Sequence, residues 1–181
     1  RQLRLEPHAE AAVALNLAPP RQPDSRSGTY PLEIIVTSPD YPEIVSCCRV
    51  TLSVKPYYEF AVEALVPKCL KISRFQRSAL LSLGLTNRSN CQAPFRVSGA
   101  ESTGRCRFEF QPPGETTALA HHAEFWLAPG ETALLPVRVS PPPRHLLGLR
   151  RKPYHFTLTS TMLAGRQTAR TVAGQVKSTP L

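Results

Sequence analysis

Two adjacent histidines and a nearby glutamate are the closest approach to a metal-binding group in the sequence: His121, His122 and Glu124. Imidazole and carboxylate groups are ligands that zinc takes from proteins. Neighbouring residues of a β-strand point to opposite faces, however, so these two histidines cannot hold one ion on a regular strand. The other histidines are scattered, at His8, His145 and His155. We therefore predict no metal site and no cofactor.

The sequence also offers little for nucleophilic or acid–base catalysis. It contains no Gly-x-Ser-x-Gly turn and no glycine-rich phosphate loop. A triad needs an orienting carboxylate, and the only aspartates, Asp24 and Asp40, fall in predicted loops. Paired carboxylates for glycoside hydrolysis would have to come from scattered glutamates that fit solvated strand faces: Glu59, Glu63 and Glu109. We predict that the chain is not an enzyme and has no catalytic residues.

Thiol chemistry is the next class to consider, because five cysteines are present: Cys47, Cys48, Cys69, Cys91 and Cys106. An odd number cannot all pair within one chain, and no Cys-x-x-Cys zinc spacing occurs. Cys47 and Cys48 are adjacent in a predicted strand, so their side chains should point to opposite faces. A pair between Cys91 and Cys106, which flank a predicted hairpin, stays open. We expect most of the five to be buried thiols that act as small hydrophobic groups.

Charge points to recognition, since the formal net charge is +9. A basic surface attracts anionic partners. Nucleic acid is not predicted, because the arginines occur singly and without interleaved aromatic residues. One loop, 144–152, is both basic and rich in leucine. We select four of its residues as a candidate partner-binding loop for an acidic partner or a neighbouring module: Arg144, Arg150, Arg151 and Lys152. Alternatively, the loop's leucines pack beneath the end of the domain.

The elements that would position these residues are short strands. Apolar residues alternate through many segments, no 3.6-residue period persists, and 19 prolines punctuate the chain. Residues 1–17 are predicted as one or two strands, and Trp126 is predicted in the core. The further strands are predicted at 30–38, 44–54, 57–67, 78–86, 94–98, 106–110, 121–127, 131–140, 154–160 and 168–177, with a turn at 99–104. Seven to eight strands between 57 and 177 are typical of a β-sandwich. No apolar run reaches the roughly 18–20 residues of a membrane helix.

Two stretches of the chain follow the same plan. Leu127 follows Leu5, and Pro141 follows Pro19, by 122 residues in each case. We therefore predict two units: 1–56 as the C-terminal half of an immunoglobulin-like module, and 57–181 as a complete module. Half a sandwich leaves an apolar face in water at about 25 cal/mol per Å², which is serious against a net stability of about 5–15 kcal/mol. We expect upstream chain or a partner chain to complete the first unit.

Short sequence frames carry a family resemblance. They are Leu-x-Pro-Gly-Glu at 127–131, Pro-Pro-Arg at 142–144, Gly-Thr-Tyr-Pro-Leu at 28–32, Val-Thr-Ser at 36–38, and Leu-Thr-Asn at 85–87 with Asn90. The chain resembles bacterial tandem immunoglobulin-like repeats of the CARDB-like class. The resemblance implies a spacer, an adhesive stalk or a docking module of a larger protein, and it supplies no catalytic residues.

The fold predicted from the sequence is therefore all-β: immunoglobulin-like sandwiches in tandem, the first incomplete. The predicted function is a non-catalytic structural or interaction module whose partners are other protein domains or chains. The alternative is a carbohydrate- or polyanion-binding module that uses the 144–152 loop. Low lysine and high proline content, with the resemblance, favour the cell envelope or the exterior, but cysteines without a clean pairing suit a cytoplasmic location equally.

Overall fold

The computed structural model describes residues 3–6, 8–72, 76–115, 119–142 and 152–178. Within these ranges there are twelve β-strands and no helix, and hence no apolar helix of membrane-spanning length. The strands are β1 (Gly28–Thr37), β2 (Val45–Val54), β3 (Phe60–Val62), β4 (Cys69–Ile72), β5 (Ala79–Asn87), β6 (Ala93–Glu101), β7 (Arg107–Phe110), β8 (Leu119–Ala120), β9 (His122–Leu127), β10 (Thr132–Ser140), β11 (Lys152–Met162) and β12 (Thr168–Ser178).

Ten of these strands form two five-stranded sheets. The first sheet has the order β3-β5-β10-β7-β8, and the second has the order β4-β12-β11-β6-β9. Read across the first sheet, the strand order β3-β5-β10-β7 corresponds to the A-B-E-D sheet of the immunoglobulin fold. Read across the second sheet, β12-β11-β6 corresponds to its G-F-C sheet. The prediction of an all-β, immunoglobulin-like sandwich is therefore confirmed.

The core lies between the two sheets and is built from the alternate residues of each strand. Leu83 and Leu135 face it from the first sheet, and Phe95 and Leu158 face it from the second; all four are fully buried. Residues between them face solvent, as expected for antiparallel sheets packed on one side. At Gly99 a side chain would collide with Phe108, since an added Cβ would lie 2.5 Å from that ring.

Two strands of the sandwich were not predicted, and one turn is shorter than predicted. The strand predicted from Tyr57 forms only β3, which pairs with β5, and the unpredicted β4 follows it and runs parallel to β12 in the other sheet. β8 has only two residues, too few for a period-2 pattern to register. β6 continues to Glu101, so the turn predicted at 99–104 begins three residues later. These edge strands account for ten strands instead of seven or eight.

The first unit is a separate two-stranded sheet, the hairpin β1–β2. Its register pairs Tyr30 with Leu52, and Leu32 with Val50. Strand alternation places these apolar residues on one face and mainly polar residues on the other. Among the described residues up to position 56, none is buried. The hairpin has no second sheet against its apolar face.

The strand predicted over residues 1–17 is not formed, because its described residues belong to no strand. Offset by 122 residues, this region corresponds to β10, which pairs with β5 and β7 in the sheet opposite β11–β12. The described residues up to position 56 include no counterpart of β5 or β7 that this segment could pair with. Leu15 is 62% exposed, whereas its counterpart Val137 is 0% exposed.

Candidate functional site

The first candidate site is the apolar face of the β1–β2 hairpin, defined by Tyr30, Leu32, Ile34, Val36, Cys48, Val50, Leu52 and Val54 and called here the open face. The hairpin β11–β12 has the same layout, with Tyr154 opposite Val176 as Tyr30 is opposite Leu52. In β11, Leu158 is completely buried against the other sheet. The matching residue of β1, Ile34, is only half-buried. The open face therefore carries the side-chain pattern of a sandwich core without the sheet that covers one.

A hollow of about 330 Å³ lies at the end of the open face nearest the sandwich. Its apolar wall comes from Leu32, Leu52 and Val54 on the two strands, and Asp24 and Arg26 lie at its margin. The Tyr30 hydroxyl donates a hydrogen bond to the Arg26 carbonyl at 2.8 Å, which fixes the loop that borders the hollow. A side chain from a covering sheet would fill this space.

The second candidate site is the turn after β5, where three polar side chains are buried: Asn87, Ser89 and Asn90. The Asn87 amide donates to the carbonyls of Leu127 at 2.9 Å, Ala128 at 3.1 Å and Cys91 at 3.0 Å. The Ser89 hydroxyl donates to the Glu59 carbonyl at 3.1 Å and accepts from the Glu59 amide at 3.0 Å. These bonds hold the turn rigidly to its own sandwich.

Asn90 turns away from that network and bonds the chain of the first unit. Its amide nitrogen donates to the carbonyls of Ser25 at 3.0 Å and Lys55 at 3.1 Å. Its side-chain oxygen accepts from the Tyr57 amide at 2.9 Å, and its backbone carbonyl accepts from the Ser27 amide at 2.9 Å. We call this set of contacts the joint. The sequence indicated a turn rich in asparagine and serine at this point, but not which partners its amides would find.

The histidine–glutamate group forms no metal site. In the part of the chain that the structure describes, no group of three metal-ligating side chains comes together. His122 lies 3.9 Å from the Glu124 carboxylate, but both are exposed, and Arg96 holds the same oxygen at 2.6 Å. His121 has a left-handed backbone with φ of 75°, so the strand is irregular just before β9. Asp24 and Asp40 lie in turns, as predicted.

The cysteine prediction was wrong for most positions. All five thiols are free; Cys47, Cys48 and Cys69 are exposed, and only Cys106 is buried. Burial raises the pKa of Cys106 to about 11, and the hydrogen bond to Glu33 raises the pKa of Cys47. A nucleophilic thiol needs a lowered pKa, so neither group has the character of an activated nucleophile.

Trp126 was predicted in the core and is instead 62% exposed. It lies on β9, which forms an edge of the second sheet, and its strand neighbours Phe125 and Leu127 face the core. Alternation along β9 places Trp126 on the outer face, because the two inward positions are already taken. The position of Trp126 in the alternation along β9, and not the size of its side chain, determines that it faces outward.

The candidate loop residues Arg144, Arg150 and Arg151 lie outside the described residues, as does the side chain of Lys152. Of the described arginines, three pair with glutamates on neighbouring strands: Arg49 with Glu33, Arg96 with Glu124, and Arg138 with Glu109. These pairs are exposed, and such pairs contribute about 0–1 kcal/mol each. In these pairs the glutamates offset part of the positive charge on the strand faces.

No protein-family model and no curated protein sequence matches the chain. Solved structures similar to it include the periplasmic chaperone SfaE, with 15% identity and a TM-score of 0.38, covering 67% of this chain and 58% of the chaperone. The N-terminal domain of PorA has 12% identity and a TM-score of 0.43, covering 66% of this chain and 97% of that domain. The CooA pilin subunit of enterotoxigenic Escherichia coli has 8% identity and a TM-score of 0.34, covering 67% of this chain and 98% of that subunit.

The matched part of the chain spans less than two thirds of the chaperone's length. At these identities the similarities concern the fold alone, and the narrower CARDB-like class stays a prediction.

Proposed function

We propose that this chain is a non-catalytic structural and interaction module in which immunoglobulin-like units are joined in tandem. Residues 1–56 are the C-terminal half of one unit, and residues 57–181 are a complete unit. The observation that carries the proposal is the match between the hairpins β1–β2 and β11–β12, one with an open apolar face and the other with the same face buried.

The internal repeat specifies what would cover the open face. In the complete unit, β11 pairs with β6 in antiparallel orientation, and β12 pairs with β4 in parallel orientation. The free edges of β1 and β2 therefore have places for one antiparallel and one parallel strand. The opposite sheet would be counterparts of β3, β5 and β7, and the segment at 10–18 would join them as the counterpart of β10. The occupant is a segment equivalent to residues 57–124, supplied by the same polypeptide or by a partner chain.

Two adjacent isoleucines on opposite faces of β1 test this proposal: Ile34 lies on the open face and Ile35 on the other. The dye ANS binds exposed apolar surface and fluoresces there. We expect the chain to bind ANS, Ile34→Asp to lower the fluorescence strongly, and Ile35→Asp to leave most of it. The two variants change the same residue type and differ only in the face they alter.

Equal losses of ANS fluorescence in the two variants, or no ANS binding by the unmodified chain, would contradict the open face. Circular dichroism of both variants provides the control, because the sandwich from 57 onward contains neither residue and should keep its thermal transition. A longer form of the protein that includes the covering strands should not bind ANS at this face.

We further propose that Arg144, Arg150, Arg151 and Lys152 form a docking loop for a neighbouring domain or an acidic partner. Support comes from the Pro-Pro-Arg frame, since Pro142-Pro143-Arg144 has the same sequence as Pro19-Pro20-Arg21, one residue beyond the 122-residue offset that relates Pro141 to Pro19. Arg21 stacks its guanidinium 4.4 Å from the centre of the Tyr57 ring, where the first unit meets the second. Arg144 is thus the sequence counterpart of a residue that contacts a following unit.

Retention on heparin across a salt series separates this docking role from the alternative of a polyanion-binding module. For polyanion binding, retention falls steeply with salt and is lost when Arg150, Arg151 and Lys152 are replaced by alanine. For protein docking, we expect weak retention that the same replacement leaves nearly unchanged. Steep, loop-dependent retention would overturn the docking proposal.

A further inference from the structure

We propose that the turn 87–90 is a receiving surface that fixes the angle between a preceding immunoglobulin-like unit and the sandwich, with Asn90 as the positioning residue. The proposal rests on the tandem arrangement proposed above. It adds that the units meet at a rigid joint and are not strung on a flexible linker. The partner of this surface is the end of a hairpin laid out like β1–β2.

The geometry of the contacts is what makes the joint rigid. Ser25 and Ser27 come just before β1, and Lys55 comes just after β2. The first residue of β1 lies beside the last residue of β2, since Gly28 pairs with Val54. Asn90 therefore bonds both the segment that enters the hairpin and the segment that leaves it, at the same end of the hairpin. Its hydrogen bonds to Ser25, Ser27 and Lys55 are between 2.9 and 3.1 Å long. Hydrogen bonds to only one of these segments would allow the hairpin to rotate about it, whereas bonds to both segments resist that rotation.

Burial makes the bonds of Asn90 costly to break. With the hairpin in place the residue is 2% exposed, so its hydrogen bonds to Ser25 and Lys55 are shielded from water. Both polar atoms of its side chain are used, one as a donor to two carbonyls and the other as an acceptor from Tyr57. Replacing Asn90 by alanine with the hairpin in place would thus leave the Ser25 and Lys55 carbonyls without this donor.

Two further contacts lie beside the hydrogen bonds of Asn90. The Arg21 guanidinium lies 4.4 Å from the centre of the Tyr57 ring, a cation–π distance. On the other side, the turn after β9 approaches Pro23: a methyl group on Gly130 would lie 3.4 Å from the Pro23 side chain. Gly130 has φ of 75°, a conformation that glycine adopts without strain. The loop before β1 is therefore held at three points, by the turns at 87–90 and 128–131 and by Tyr57.

The receiving surface is formed by the sandwich alone. Asn87 ties the turn 87–90 to the chain after β9 through Leu127 and Ala128, and Ser89 ties it to Glu59. None of these bonds involves a residue of the first unit. The turn therefore stands in position before the hairpin is added, and little ordering is required when the units meet.

Residual dipolar couplings measured on the 181-residue chain test the joint. Couplings from residues 28–32 and 50–54 report the orientation of the hairpin, and those from β5, β10 and β11 report that of the sandwich. We expect one alignment tensor to fit both sets in the unmodified chain. In Asn90→Ala, the hairpin couplings should shrink and require a second tensor, while the sandwich couplings keep theirs. Asn16→Ala is the matched control, because Asn16 is exposed and takes part in none of the hydrogen bonds that define the joint.

A second variant acts from the hairpin side, in case Asn90→Ala prevents the sandwich from folding. Ser27→Pro removes the amide that donates to the Asn90 carbonyl and changes no residue of the sandwich. In Ser27→Pro too, the couplings of the hairpin and of the sandwich should require two different alignment tensors. Two tensors in the unmodified chain, or a single tensor in every folded variant, would overturn the rigid joint. This measurement reads orientation and not apolar exposure, so it can fail while the ANS experiment succeeds, and the reverse.

Discussion

At the scale of single residues, the buried polar side chains are nearly all satisfied. Asn87 and Asn90 each bond carbonyls from separate stretches of the chain, and the Ser89 hydroxyl both donates and accepts. Among the described side chains that are not exposed, only the Ser160 hydroxyl is buried without a partner. A buried group left unpaired costs about 1–3 kcal/mol. The turn 87–90 therefore stabilises the sandwich as well as the joint.

The ionisation of Glu101 is coupled to the turn that follows β6. Its carboxylate accepts hydrogen bonds from the Thr103 and Ser102 hydroxyls and the Arg105 amide. The Thr103 hydroxyl contributes most to lowering the Glu101 pKa from 4.5 to about 2. A depressed pKa stabilises the fold fully above the unfolded value and loses that effect as the pH falls towards the folded value. The stabilisation should thus disappear between about pH 4.5 and about pH 2.

Thermal unfolding across this pH range checks the assignment. Glu101→Gln cannot ionise, so we expect its melting temperature to fall less than that of the unmodified chain between about pH 5 and about pH 2. Glu115→Gln, which changes an exposed glutamate in another turn, is the control and should follow the unmodified chain. If Glu101→Gln and the unmodified chain decline in parallel, the hydrogen bonds of Glu101 do not stabilise the turn.

At the scale of elements, strands were predictable wherever alternating residues face one continuous core. β5 and β10 show this pattern, and both were located within one or two residues. The segment at 1–17 has the same pattern, but its described residues belong to no strand, because a strand also needs ladder partners, and the described residues up to position 56 offer no counterpart of β5 or β7. Alternation reports which face is apolar; it does not report whether a neighbouring strand is present.

The candidate sites were predictable to very different degrees. The open face follows from the internal repeat, since the copy of a buried hairpin was expected to be apolar on one face. The joint was not foreseen, because Asn87 and Asn90 look like ordinary turn residues in the sequence. Their partners lie up to 65 residues away, as with Asn90 and Ser25. Pairings over such a distance depend on how the two units meet, which local patterns do not encode.

At the scale of the whole molecule, a sandwich of two five-stranded sheets carries a separate two-stranded hairpin. The sandwich buries its apolar residues between two sheets, whereas the hairpin β1–β2 buries none. A two-stranded hairpin alone is marginally stable at best in water. We therefore expect two hairpins of the same layout to differ greatly in local stability, because among the described residues a second sheet covers β11–β12 and not β1–β2.

Amide hydrogen exchange on the 181-residue chain tests this claim most directly, with β11–β12 as the internal reference for β1–β2. Core strands open only with free energies approaching global stability, about 5–15 kcal/mol. We expect the interior amides of β11–β12 to exchange at least about a thousandfold more slowly than the paired amides of β1–β2. Equal protection of the two hairpins would show that β1–β2 belongs to a finished domain, and would contradict the account.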